Sequence, residues 1–131
     1  MDPDQMRKTI PGYYQAWARK DRDAVEAFVG ERFSFTSPFD DHIDREEFFR
    51  RCWPNAGSQE RFDVMQVLPD GGDGALVLYE AVMKNGKRIR NAEYLRFEAD
   101  RLRSVEVYFG LAPGEAPTTP EAWAAGQEPK G

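Results

Sequence analysis

Apolar residues near the start of the chain recur at steps of three and four: Met6, Ile10, Tyr13, Tyr14 and Trp17. That spacing is one face of a helix. Pro11-Gly12 interrupts it, so the helix either starts near Pro11 or is kinked there; one broken helix ending near Lys20 is the preferred reading. Asp21 then caps a second helix, with Ala24, Val25 and Phe28 inward and Gly30 as its stop. Residues 32–37 alternate as a short strand with Phe33 and Phe35 on one side. Asp44-Arg45-Glu46-Glu47 is a capping-box pattern opening a third helix. Its inward face carries Phe48, Phe49, Cys52 and Trp53, and Pro54 stops it. Beyond Pro54 the period shortens from helical to alternating. Strands are predicted at roughly 61–69, 75–84, 88–99 and 102–109, with Asn85-Gly86 as a two-residue hairpin turn. Helices, a short strand, a helix and then an antiparallel meander make an α+β domain.

From Leu111 the apolar periodicity disappears and prolines accumulate. Residues 1–110 are therefore read as the domain and 111–131 as a flexible Pro/Gly/Ala-rich tail. Within the tail, Thr119-Pro120-Glu121 is a cap for one short helical turn carrying Trp123.

Polar residues at inward strand positions carry more information than polar loops, because burying them needs a reason. In the third predicted long strand Ile89, Asn91, Glu93, Leu95 and Phe97 share one face, so Asn91 and Glu93 interrupt an apolar wall. In the strand before it, Leu76, Leu78, Glu80 and Val82 share a face, making Glu80 a second intruder. Two explanations stand. The commoner is an ion pair with an arginine of a neighbouring element. The other is a cavity acid whose pKa is raised by desolvation, able to move a proton or donate a hydrogen bond.

Composition narrows the partners. The 131 residues hold 23 acids against 18 bases, a net charge of −5. This balance argues against nucleic acid or an anionic membrane surface as the main partner. The lone Cys52 cannot form an internal disulfide. No apolar run reaches signal-peptide or membrane-span length, so a soluble cytoplasmic protein is expected. Nine Phe, five Tyr and three Trp supply the lining for a core or a cavity. Trp17, Phe35, Trp53 and Tyr108 are candidate wall residues, favouring a small, largely apolar ligand with one or two polar handles.

The stretch FTSPFDDHID holds three aspartates and the only histidine. One histidine without a second soft ligand is not a zinc site, and a calcium loop needs more oxygens and a glycine at its bend. No metal and no cofactor is expected. Asp44 is a helix cap and Asp41 a solvated turn residue. Asp40 and His42 are the candidates for a pocket role, since loops at pocket mouths often carry function.

The run YYQAWARKDRDAVEAFVGERFSFTSPF and the later NGKRIRNAEYLRFEADRLRSVEVYFG resemble the nuclear transport factor two-like superfamily. More narrowly they resemble its SnoaL-like and ketosteroid-isomerase-like branch, over about residues 5–110. The resemblance implies a cone: a curved antiparallel sheet wrapped around N-terminal helices, with a central pocket (a cystatin-like roll). It implies Tyr13 and Glu93 as the pair that holds an enolate oxygen. The base, an aspartate before a proline in that branch, is replaced here by Ser37 before Pro38. Serine has no basicity near neutral pH, so Asp40 and His42 are the nearest substitutes. The resemblance also implies a homodimer through the sheet. Two functions remain open. One is a cofactor-free isomerase, cyclase, dehydratase or hydrolase using Tyr13, Glu93, Asp40 and His42. The other is a non-catalytic ligand-binding or dimerisation module.

Overall fold

The computed structural model describes residues 1–125. Helix α1 spans Pro3–Ala18 and α2 Arg22–Phe28. Strands β1 (Val29–Ser37) and β2 (Asp40–Asp44) form a hairpin, and α3 (Arg45–Cys52) runs into a single 3₁₀ turn at Trp53–Asn55. Strands β3 (Gln59–Pro69), β4 (Gly74–Met83), β5 (Arg88–Glu98) and β6 (Arg101–Tyr108) follow, and α4 (Pro120–Ala124) lies in the tail.

The caps explain the helix starts. Asp2 accepts from the Gln5 N–H while Gln5 reaches back to the Asp2 N–H, a complete capping box that starts α1 well before Pro11. The helix runs through Pro11 without interruption, so the expected break is absent. Met6, Ile10, Tyr13 and Tyr14 are all buried, and their packing holds the segment helical despite the missing N–H. Asp21 caps α2 through the Ala24 N–H and Asp44 caps α3 through the Glu47 N–H, both as predicted. Gly30 does not stop α2; it belongs to β1, where a Cβ would sit 3.1 Å from the Leu102 carbonyl oxygen.

The six strands form one open sheet in the order β2-β1-β6-β5-β4-β3. Every neighbouring pair is antiparallel except β1 and β6, which run parallel, so the sheet is mixed and not wholly antiparallel. Register shifts in β1–β2, β1–β6, β3–β4 and β5–β6 mark bulges, the local devices that bend a sheet. Helices α1 and α3 pack across the concave side, α1 against β3 and α3 against β1. Between them lies an aromatic core in which the Phe48 ring meets Phe35 at 4.7 Å, Phe33 at 4.8 Å and Trp17 at 5.6 Å between centroids.

Several expectations need correction. DDHID is a strand, not a loop. The β4–β5 turn is longer than two residues: the Gly86 N–H bonds the Met83 carbonyl, Gly86 has φ +89°, and the Met83 N–H bonds Lys87. That is a three-residue loop closed by a left-handed glycine. In β4 the inward residues are Ala75, Val77, Tyr79 and Ala81, so Glu80 faces outward with Leu76. Glu80 accepts from Arg88 at 3.1 Å and Arg90 at 3.2 Å, the ion-pair explanation. The Arg90 and Arg88 bonds hold its carboxyl below the usual range. In the tail, α4 forms where the cap pattern places it, with the Ala122 N–H on Thr119 Oγ1. The Trp123 side chain and residues 126–131 of the expected flexible tail lie outside the described residues.

Candidate functional site

The concave side of the sheet, roofed by α1 and α3, encloses a pocket of about 480 Å³. Its volume falls in the range of small-molecule sites. Two carboxylates face it from different elements: Glu93 from β5 and Asp40 from the start of β2.

Glu93 is only 7% exposed, and both its oxygens are used. Tyr14 Oη donates to Oε1 at 3.1 Å, and Tyr79 Oη donates to Oε2 at 2.5 Å. Asn91 Nδ2 donates to the Tyr79 hydroxyl at 3.1 Å, and the Gly110 N–H fixes Asn91 by donating to its Oδ1 at 2.9 Å. Burial pushes the Glu93 carboxyl up to about 7, against the lowering effect of the Tyr79 and Tyr14 bonds. Burial, reinforced by the Glu93 charge, pushes the phenols of Tyr14 and Tyr79 far above the ordinary range. Both tyrosines are therefore neutral donors near pH 7, while Glu93 stands near its midpoint.

Asp40 is held differently. Its side chain is 9% exposed. Ser37 Oγ donates to Oδ2 at 2.9 Å, and the Phe39 N–H donates to Ser37 Oγ at 3.1 Å. Arg51 Nη1, from the last turn of α3, stands 3.0 Å from Oδ1. That contact is an ion pair without hydrogen-bond alignment, so Oδ1 has no hydrogen-bond donor of its own among the described residues.

The structure thus brings together Tyr13, Trp17, Phe35, Ser37, Asp40, Asn91 and Glu93 around one cavity. It moves three predicted residues out. His42 projects into solvent with its side chain 72% exposed, its Nδ1 2.6 Å from Asp41. The cause is local: β2 carries one extra residue opposite β1, and His42 adopts φ +52°, which breaks the alternation that would place it beside Asp40. Tyr108 is 56% exposed on the outer face, its hydroxyl on Glu106. A bulge at Arg103 lets Leu102 share the inward side with Val105 and Val107, and Tyr108 takes the other side. Trp53 is not among the residues lining the pocket; its ring packs against Trp17, centroids 5.1 Å apart, with the Arg22 guanidinium 5.3 Å from its centroid.

Three residues were not singled out as site residues: Tyr14, Tyr79 and Arg51. Tyr13 lines the pocket, yet the phenols on Glu93 come from Tyr14 and Tyr79. Tyr13 and Tyr14 are neighbours on a broad buried face, and helical spacing alone does not choose between them. Burial pushes the Cys52 thiol up to about 11, with the Asp40 charge adding to it, so no activated nucleophile is present there. Among the described residues no three His, Cys, Asp or Glu side chains converge as a metal site, and no helix is long and apolar enough to cross a membrane.

This architecture is shared with solved structures of low sequence identity. A nuclear transport factor two-like protein of unknown function from Burkholderia xenovorans superposes with a TM-score of 0.71 at 19% identity, covering 97% of this chain and 95% of that one. A protein with a ketosteroid isomerase-like fold from Catenulispora acidiphila, in complex with trimethylamine, gives 0.61 at 13% identity over 85% and 88%. A de novo designed protein with a curved β-sheet gives 0.71 at 13% identity over 95% and 93%. No curated protein matches in sequence. The SnoaL-like domain model matches residues 10–105, from the middle of α1 through most of β6, and the chain belongs to that family.

Proposed function

We propose that the pocket binds a small, largely apolar molecule and moves a proton on it without a cofactor. Asp40 takes and returns the proton. Glu93, positioned by Tyr14 and Tyr79, holds the charge that develops on a substrate oxygen. The observation that carries this reading is the contrast between two carboxylates in one cavity. Asp40 is anchored by Ser37 and Arg51, whereas Glu93 sits among phenols and is pushed to about 7. Two acids in unlike surroundings are the usual arrangement for dividing acid and base roles. A protonated Glu93 donates a hydrogen bond to that oxygen, and the two neutral phenols, whose O–H groups point at Glu93, hold its carboxyl in place. Proton transfer α to a carbonyl, as in an isomerisation, is the reaction class these groups fit best.

The test is deuterium uptake from D₂O at the α carbons of cyclohexanone, followed by proton NMR. Wild-type protein is expected to accelerate exchange, and Asp40→Asn and Glu93→Gln to abolish most of the gain. Equal rates in all three proteins would overturn the catalytic reading.

One observation favours a binding module instead. Asp40 Oδ1 is covered and faces Arg51, so part of the base is withdrawn from the cavity. The complex of the Catenulispora acidiphila protein with trimethylamine supports binding of small molecules within this fold. Under this reading cyclohexanone binds and Glu93→Gln weakens it, but no exchange is catalysed.

A further inference from the structure

Large apolar side chains gather at the mouth of the pocket, where nothing in the core requires them. Phe39, in the turn between β1 and β2, is 76% exposed, and Phe109, one residue past β6, is 50% exposed. Parallel pairing of β1 with β6 brings the ends of both strands to the same rim, and the two rings meet there with centroids 5.6 Å apart. Both rings also line the pocket, so they continue its apolar wall outward. Leu111, two residues beyond Phe109, is 46% exposed.

The position of each ring relative to the acids is fixed through the backbone. The Phe39 N–H bonds Ser37 Oγ, which donates to Asp40. Beside Phe109, the Gly110 N–H bonds Asn91, which donates to Tyr79, which donates to Glu93. Gly110 is itself pressed against β5: a Cβ there would fall 1.8 Å from the Arg90 carbonyl oxygen. The rim therefore has a set distance from both carboxylates and does not drift as a free loop would.

We propose that Phe39 and Phe109 form an outer subsite for the apolar tail of an elongated ligand. The polar head of that ligand enters the pocket toward Glu93. The substrate class is then an extended hydrocarbon with an oxygen function at one end, not a compact molecule that fills the cavity alone. This deepens the functional reading above and rests on the pocket being the ligand site. A protein partner is the weaker occupant. Three side chains offer at most several hundred Å², since a large aromatic buries roughly 150–250 Å². A stable interface needs roughly 800 Å² per partner.

The test is a calorimetric titration of 2-alkanones of increasing length, from butanone to decanone, with the whole chain. Each methylene that leaves water adds about fourfold in affinity, the equivalent of roughly 0.8 kcal/mol. In wild-type protein this climb is expected to persist through the long members. In Phe39→Ser/Phe109→Ser the long members are expected to gain little over the intermediate ones, and Phe39→Leu, which stays apolar, is expected to restore the climb. Both residues are surface-exposed, so the variants keep the fold. An identical climb in wild type and the double serine variant would overturn the subsite while leaving the pocket intact. A double variant that changes only the sedimentation coefficient would overturn it in favour of a second copy. Failure of every ketone to bind wild-type protein would overturn both the subsite and the pocket reading.

Discussion

Replacing Glu93 with glutamine tests whether this carboxyl is dry in the folded protein. Its pKa rises from 4.5 in an open chain to about 7 in the pocket, mainly through burial. Between those values the folded state binds more protons than the unfolded state, so stability falls as pH rises. The contribution is fully present below 4.5 and is lost by the time the pH passes about 7. At about 1.36 kcal/mol per pH unit of separation, the gap amounts to about 3 kcal/mol. That is a large share of the 5–15 kcal/mol typical of a domain. Glutamine has nearly the same shape and cannot ionise. Urea unfolding followed by tryptophan fluorescence at pH 5, 6, 7 and 8 compares the two proteins. The difference between wild type and Glu93→Gln should drift by about 2.5 kcal/mol across this series, which starts just above 4.5, equivalent to about 1–2 M in midpoint. Wild type should lose ground as the solution becomes more alkaline. Every other side chain is the same in both proteins, so the comparison isolates Glu93. Parallel profiles would refute the burial argument, and a wild type that gains relative to the variant on raising the pH would reverse its sign.

Tyr79→Phe removes the stronger of the two bonds that hold the Glu93 charge, and the midpoint of Glu93 should rise further, by about 1–2 pH units; carbon-13 NMR reads the change, and an unchanged midpoint would contradict the assigned partner. Gly110→Ala forces a Cβ onto the Arg90 carbonyl and should cost about 1–3 kcal/mol in urea unfolding; a neutral substitution would show that this approach is looser than described. On the outer face Leu68 and Leu76 are paired in register and 46% and 37% exposed, with Arg88, Arg90 and Glu80 along the same face. We propose this face as the surface of a homodimer, and Leu76→Glu should then leave a folded monomer by sedimentation; wild-type protein that already sediments as a monomer would remove the proposal.

Much of the fold was legible because local signals agreed. Asp21 and Asp44 announced their helices by capping chemistry, and the β5 alternation placed Asn91 and Glu93 inward with Leu95 and Phe97. The failures arose where the alternating period gave no unique phase. Strand β4 is apolar on both faces, so Glu80 was assigned to the wrong one and Tyr79 was passed over. In β6 the bulge at Arg103 reset the phase between Leu102 and Ser104, which reversed the reading of Tyr108. His42 was lost to a left-handed backbone that no side-chain pattern reveals. The Arg51–Asp40 contact joins α3 to β2 at the pocket wall, and such pairings between elements are set by tertiary packing and not by spacing.

All of this depends on Glu93 occupying a cavity sheltered from water and bounded by Tyr14 and Tyr79. The most direct measurement is a carbon-13 titration of the Glu93 side-chain carboxyl, assigned by its loss in Glu93→Gln. The account predicts a midpoint near 7. A midpoint near the ordinary 4.5 would contradict it.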